Sequence, residues 1–577
     1  THCISSAASD VYKRQALDWL VIGVFFLALI GIIVWVVRQK QNDSADYFLG
    51  GRDATWLAIG ASIFASNIGS EHLIGLAGAG ASSGMAMAHW EIQGWMILIL
   101  GWVFVPFYSR SMVYTMPEFL ERRYNPQSRT ILSVISLVSY VLTKVAVTVY
   151  AGGLVFQQVF GIKELWGIDF FWIAAIGLVV LTALYTIFGG MKSVLYTSVL
   201  QTPILLLGSL IILVLGFKEL GGWDEMMRVC GAVTVNDYGD TMTNLIRSND
   251  DANFPWLGAL IGSAIIGFWY WCTDQFIVQR VLSGKNEKEA RRGTIFGAYL
   301  KLLPVFLFLI PGMIAFALHQ KYIGAGGEGF LPMLANGTAN ADAAFPTLVA
   351  KLLPAGVKGL VVCGILAALM SSLASLFNSS AMLFTIDFYK RFRPETPEKK
   401  LVGIGQIATV VIVILGILWI PIMRSVGDVL YTYLQDVQSV LAPGIAAAFL
   451  LGICWKRTSA QGGMWGLIAG MIIGLTRLGA KVYYSNAGEV ADSTFKYLFY
   501  DMNWLFFCGW MFLFCIIVVI VVSLATEAPT AEKIQGLVFG TATKEQKAAT
   551  RASWDHWDII HTVIILAITG AFYWYFW

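Results

Sequence analysis

The chain has 577 residues, of which 57% are hydrophobic, 14% aromatic and only 13% charged, with a formal net charge of +3 and a mean hydropathy of +0.69. That is too little polar surface to cover a soluble globule, so the composition predicts a polytopic membrane protein whose first partner is the lipid bilayer. The small net charge is scattered over connecting loops and forms no basic patch, which excludes nucleic acid as an expected partner.

The first fifteen residues, THCISSAASDVYKRQ, lack a start methionine and an apolar h-region and are read as a non-native or disordered leader. Beyond them, about fourteen apolar stretches are long enough to span a bilayer. Their approximate cores are 17–37, 56–80, 87–108, 130–158, 167–188, 194–216, 257–283, 293–318, 357–388, 401–423, 428–453, 461–478, 503–525 and 556–577. Residues 16–54 read as an extra N-terminal helix with a cytoplasmic loop. The connections at 217–256 and 319–356 are long and glycine-rich, and 526–555 is a polar loop without a chemical motif. Basic residues concentrate in alternate connections, at Arg38, Lys40 and Arg52, at Arg110, Arg122, Arg123 and Arg129, at Lys285, Lys288, Arg291 and Arg292, at Lys390, Arg391, Arg393, Lys399 and Lys400, and at Lys456 and Arg457. This pattern places those loops in the cytoplasm and both termini outside. The seven cysteines lie mostly in apolar runs without a CxxC pair and read as small packing residues.

Against this background Asn67, Glu71, His72, Glu91, Lys301, Ser371, Ser372 and Gln435 are conspicuous, because polar groups inside apolar spans are costly and usually mark a transport path. Lys301 lies nine residues beyond Arg292, roughly 13 Å deep at 1.5 Å per residue in a ~30 Å hydrocarbon layer. It must face protein or water. Two spans are interrupted in matching ways. The second packs glycine, serine and alanine around Asn67, and the seventh passes from small residues into the aromatic and polar run WYWCTDQ. Weak helix formers at mid-span predict discontinuous helices, although small residues also serve close helix packing. The two interruptions are five spans apart, and because five is odd the second copy of such a repeat is inverted.

The segments Tyr47-Phe48-Leu49 to Arg52, GASIFASNIGSEH from Gly60 to His72, WYWCTDQFIVQRVLSGKN from Trp269, YLKLLP around Lys301, ALMSSLASLFNSSAMLFTIDFY from Ala368 and LQDVQSVLAPGIAAAFLLGICWKR from Leu434 resemble the sodium/glucose cotransporters of the solute:sodium symporter family. The resemblance extends over about 44–478. It implies an all-α integral membrane protein with a LeuT-type core of two inverted five-helix repeats, at 55–216 and 257–453, separated by the extracellular loop 217–256. Peripheral helices at 454–577, with the loop 526–555, complete the expected organisation. Alternating access is expected to be driven by Na⁺, with no enzymatic step.

Na⁺ is a hard cation that takes oxygen ligands, and an interrupted helix supplies free carbonyls beside a hydroxyl-bearing neighbour. By resemblance the ion site comprises backbone oxygens of Ala65, Ile68 and Ala368 and the side chains of Ser371 and Ser372. The bland reading of Ser371, Ser375 and Ser379 is a small-residue packing stripe. Two-sodium relatives resemble YTD where this chain has Tyr196-Thr197-Ser198, and Ala374 replaces a hydroxyl, so one Na⁺ per substrate is expected.

A sugar needs amides and charged groups for its hydroxyls and aromatic lids for its ring faces. By resemblance the hydrogen-bonding set is Asn67, His72, Glu91, Lys301 and Gln435, with Tyr270 as inner gate, Trp271 beside it, and Trp90 and Tyr431 closing the outer side. The structural alternatives are that Lys301 pairs with Glu91 or Asp274 to hold helices together and that the tryptophans belong to an aromatic belt. Gly267 and Gly94 stand where some relatives carry polar sugar contacts. Thr273, Asp274, Gln275, Gln279 and Arg280 read as an internal network, since buried charges need partners. His319, His556 and His561 read as solvated. The resulting expectation is a plasma-membrane or bacterial inner-membrane symporter for a neutral hexose such as glucose or galactose. A myo-inositol symporter and a non-transporting sugar sensor are the alternatives.

Overall fold

The computed structural model describes residues 2–577 except 40, 42, 70, 161, 335–336, 355, 424–429 and 487–490; side chains at 2–15, 142–143, 158, 422–423, 430–434 and 486 also lie outside the described residues. Among the described residues, eleven helices are long and apolar enough to cross a membrane, and Trp56–Asn67 and Ala146–Gln157 are shorter apolar helices. The count of about fourteen is therefore not reproduced. Part of the difference lies in Phe170–Leu220, one helical run of 51 residues, about 77 Å long at 1.5 Å per residue and more than twice a ~30 Å hydrocarbon layer. The run bends back at Gly190, whose φ of 53° and ψ of −147° favour glycine. A Cβ there would lie 2.4 Å from the Tyr47 carbonyl oxygen.

Both expected interruptions are present, with different local causes. Helix Trp56–Asn67 ends because Ile68 turns extended, at φ −80° and ψ 108°, and the chain resumes as the wide-turned Glu71–Leu76 and then Ala77–Ser83. The poor helix formers Ser66, Asn67 and Gly69 surround that break. Helix Trp256–Gly267 widens through Phe268–Thr273 and stops at Asp274, which is extended (φ −76°, ψ 126°) and caps Gln275–Leu282 by accepting from the Phe276 N–H. A side-chain cap, more than glycine, sets this second break. A third irregularity follows Lys301, the last residue of helix Glu287–Lys301. Pro304 cannot donate to the preceding turn and loosens it.

Helix Val357–Met382 is almost wholly buried and packs on both Phe170–Leu220 and Trp56–Asn67. These segments form the centre of the molecule. By contrast, the span Ala16–Val37 and helices Trp504–Ala525 and His556–Tyr575 leave many large apolar side chains exposed, among them Leu20, Leu27, Trp510, Val521 and Ile564. Such a surface suits lipid and not water. The long connections are partly helical, with Trp223–Gly231 in the first and Ala344–Leu352 in the second. His319 corrects the solvated reading. It is buried in helix Ile310–Gly324, and its Nδ1 accepts from the Leu331 N–H at 3.0 Å, because the following loop folds back over the helix.

Candidate functional site

The break after Asn67 brings two of the expected cation ligands, Ile68 and Ser372, into contact. Ala65, Ile68, Ala368, Ser371 and Ser372 are all buried. The Ser372 hydroxyl lies 3.0 Å from both the Ser66 and Ile68 carbonyl oxygens, which the turn at Ile68 frees from the helix ladder. Ser371 points its hydroxyl at Ser198, 3.3 Å away, and Ser198 in turn donates to the Val194 carbonyl oxygen at 2.6 Å. A neutral hydroxyl, not a carboxylate, therefore faces Ser371. Ala374 is buried beside it without an oxygen to offer.

Next to this break is a narrow cavity of about 50 Å³, well below the roughly 300–1,000 Å³ usual for small-molecule sites, so a cargo of sugar size requires the lining to move apart. Asn67, His72, Glu91, Lys301, Gln435, Tyr270, Trp271 and Trp90 all line it. The Tyr431 side chain lies outside the described residues. Lys301 joins the set together: its Nζ is 2.6 Å from Glu91 Oε2 and donates to Asn67 Oδ1 at 3.0 Å. His72 Nε2 reaches the same Glu91 oxygen at 3.3 Å, and Asn67 Nδ2 donates to the Tyr270 hydroxyl at 3.1 Å. Of the two partners considered for Lys301, Glu91 is the one it meets. The Lys301 ammonium also sits 5.3 Å from the centre of the Trp271 ring, a cation–π distance. Trp90 stacks on Trp504 at 5.5 Å and 24° and meets Phe254 edge-on at 6.2 Å.

Among the described residues, the buried polar atoms of this lining without a hydrogen-bond partner include Gln435 Oε1 and Glu71 Oε2, both acceptors, and Trp90 Nε1, a donor. Leaving any of them without a partner is costly unless a bound molecule or water completes it.

Sequence reasoning passed over two groups of this lining, Gln93 and Gln438, and a third, Lys144, in an adjoining smaller cavity. Gln93, two residues beyond Glu91, donates to the Ser263 carbonyl oxygen at 2.8 Å and accepts from Trp271 Nε1 at 3.3 Å. Gly267 makes room for it, since a Cβ there would lie 2.5 Å from Gln93 Oε1. Gln438 follows Gln435 by three residues and so shares its helix face. Lys144, like Lys301, is a lysine inside an apolar span, and the same argument from cost would have found it. Its Nζ is 2.6 Å from Asp274 Oδ2 and 4.8 Å from the Tyr270 ring centre.

The expected inner network is real in part. The Tyr140 hydroxyl bonds to Asp274, Gln275 Oε1 accepts from the Met116 N–H at 2.8 Å, and Gln279 donates to the Phe48 carbonyl oxygen at 2.7 Å. Arg280 departs from it. Among the described residues none of its three guanidinium nitrogens has a hydrogen-bond partner, and the group lies over the Phe276 ring at 5.1 Å. The Asp274 carboxylate of that network is bonded by Lys144.

Comparison with known proteins places this arrangement. Residues 47–470 match the model of the sodium:solute symporter family. The sodium/myo-inositol cotransporter 2 of Homo sapiens is 36% identical over 549 residues, covering 92% of this chain and 80% of that protein. The sodium/glucose cotransporter 1 of Ovis aries is 38% identical over 533 residues, covering 89% and 79%. Among solved structures, a Na⁺-coupled sialic acid symporter in a substrate-bound outward-open state aligns with a TM-score of 0.70 at 22% identity, covering 89% of this chain and 99% of that one. That likeness shows the expected LeuT-type fold. Together with the buried polar cavity beside an interrupted helix, these findings make the protein a multi-pass transporter and not an enzyme, with Na⁺ as its coupling ion and a small molecule as its cargo: the chain belongs to the sodium:solute symporter family.

Proposed function

We propose that this symporter imports a neutral hexose, such as glucose or galactose, with one Na⁺ per cycle. The observation that carries this reading is the cavity, where the amides of Asn67, Gln93 and Gln435, the Glu91–Lys301 pair and the aromatic rings of Trp90, Tyr270 and Trp271 converge. Hydroxyls both donate and accept, which suits the orphaned Gln435 oxygen and Trp90 nitrogen, and the apolar faces of a sugar ring suit the aromatics. The Glu91 carboxylate is already neutralised by Lys301, which favours an uncharged cargo. A second reading, myo-inositol, is favoured by the names of several curated relatives and offers the same pattern of ring hydroxyls.

Na⁺ would bind between the carbonyl oxygens of Ala65, Ile68 and Ala368 and the hydroxyls of Ser371 and Ser372. Binding there stabilises the turn after Asn67 and so orders the Asn67 amide beside the cargo. The cargo then favours closure of Trp90 and Tyr431 above it, and release follows movement of Tyr270. Each step is a population shift set by the ligand's differential affinity for two states. Ser198 offers a neutral hydroxyl in place of a carboxylate and Ala374 no side-chain oxygen for a second ion, which supports a single Na⁺. One Na⁺ moving down 100 mV contributes ~2.3 kcal/mol and a tenfold gradient ~1.4, a ceiling of several-hundred-fold accumulation. The repeats would occupy 55–216 and 257–453 with both termini outside.

The test is purified protein in liposomes given labelled glucose, galactose and inositol with Na⁺, K⁺ or a proton gradient. Sodium-dependent hexose accumulation is expected. Preferential inositol uptake selects the second reading, and equal uptake in K⁺ refutes both. Sugar-evoked current without accumulation would identify a sensor, and a reversal potential giving two Na⁺ per cycle would refute the stoichiometry.

A further inference from the structure

Glu71 is a charged residue of the cavity to which the proposed transport cycle gives no task. Its Oε2 is buried and has no hydrogen-bond partner among the described residues. The side chain lines the substrate cavity and also an adjoining smaller cavity shared with Lys144, Thr148, Tyr270, Ser372 and Gln438. Gly69 stands between Glu71 and the proposed ion site. A Cβ on it would lie 2.5 Å from Glu71 Oε2 and 2.9 Å from Ser372 Oγ, so the two oxygens are separated by no more than the sum of those distances, about 5.4 Å.

The other acidic groups around these cavities are already matched. Glu91 is held by Lys301 at 2.6 Å and Asp274 by Lys144 at 2.6 Å. Arg280 lines neither cavity. The ion ligands named above, three carbonyls and two hydroxyls, carry no formal charge, so a cation among them brings an uncompensated positive charge into a low-dielectric interior. Glu71 is the carboxylate placed to balance it. Lys144 shares the smaller cavity and attracts Glu71 in part, but its ammonium is hydrogen-bonded to Asp274.

We propose that Glu71 is the counter-charge of the transported sodium ion, a positioning residue that raises cation affinity from the neighbouring shell without touching the ion. The proposal rests on the sodium site at Ile68 and Ser372 being correct. At about 5 Å and an effective dielectric of ~20, the attraction between two unit charges is enough for a hundredfold change in an equilibrium constant, before desolvation reduces it.

The test compares Glu71→Gln, Glu71→Asp, Ser372→Ala and the unmodified protein in liposomes, reading the half-saturating concentrations of Na⁺ and of substrate separately. Equilibrium binding of radioactive Na⁺ in detergent, without substrate, provides a second measurement. Glu71→Gln, which keeps shape and removes charge, is expected to raise the Na⁺ half-saturation at least tenfold and to shift that for substrate at saturating Na⁺ far less. Glu71→Asp, which keeps the charge on a shorter stem, is expected to fall between the two, and it carries the test if the glutamine variant does not assemble. Unchanged Na⁺ dependence in both variants overturns the proposal, as does a rise confined to the substrate, which would make Glu71 a ligand of cargo hydroxyls. Loss of Na⁺ dependence in the unmodified protein, or an unaffected Ser372→Ala, is a failure of the sodium site itself and is distinguishable from failure at Glu71.

Discussion

Replacing Lys301 with methionine removes one charge and keeps most of the side-chain volume. Lys301 and Glu91 are 3% and 1% exposed and 2.6 Å apart, so the change takes the bonded cation away from a deeply buried carboxylate that keeps His72, at 3.3 Å, beside it. Breaking a buried pair in this way costs about 3–5 kcal/mol, most of it the burden of the unmatched charge. Asn67 Oδ1 also loses its donor. Thermal and denaturant unfolding in detergent measures the loss, and a double-mutant cycle with Glu91→Gln isolates the pair. The double variant is expected to lose less than the sum of the single variants, by about 1–3 kcal/mol. Sodium-driven uptake should be lost in all three variants, because the amide and carboxylate that face the cargo are no longer held. Additivity within about 0.5 kcal/mol would refute the reasoning, since it would mean that the two charges do not see each other.

Gln435→Ala is expected to raise the substrate half-saturation by about 5- to 100-fold, the range for losing one or two hydrogen bonds to a buried ligand, and to disturb Na⁺ binding much less. Ser372→Ala should do the reverse, and equal losses of both functions in both variants would count against separate sites. Gly69→Ala puts a methyl carbon within 2.9 Å of both Glu71 Oε2 and Ser372 Oγ, so Na⁺ affinity measured by isotope binding should fall while the protein still assembles. At Gly190 the backbone lies in a region costing other residues about 1–3 kcal/mol, and a Cβ would collide with the Tyr47 carbonyl. Gly190→Ala is therefore expected to lower expression and melting temperature, and a variant of unchanged stability would contradict the bend.

The amino-acid sequence alone determined those features that depend on composition and local preference. Hydropathy marked the spans, glycine and serine around Asn67 marked one interruption, and the cost of burying a lysine singled out Lys301 as a residue that must have a partner. Which partner was a matter for the tertiary structure, because Glu91 and Asp274 are both acidic and only packing decides which carboxylate comes within 2.6 Å. The same holds for the Ser372 hydroxyl, which meets the Ile68 carbonyl from 304 residues away in the chain, and for Gly267, whose missing side chain is explained by a Gln93 amide from another helix. Arg280 shows the limit most clearly. The rule that buried charges need partners placed it in an internal network, but among the described residues its guanidinium has no hydrogen-bond partner and Lys144 holds the Asp274 carboxylate. Periodicity and propensity act over a few neighbouring residues, whereas a site at the meeting of broken helices is made of contacts between segments hundreds of residues apart, and their distances exist only once the helices have packed.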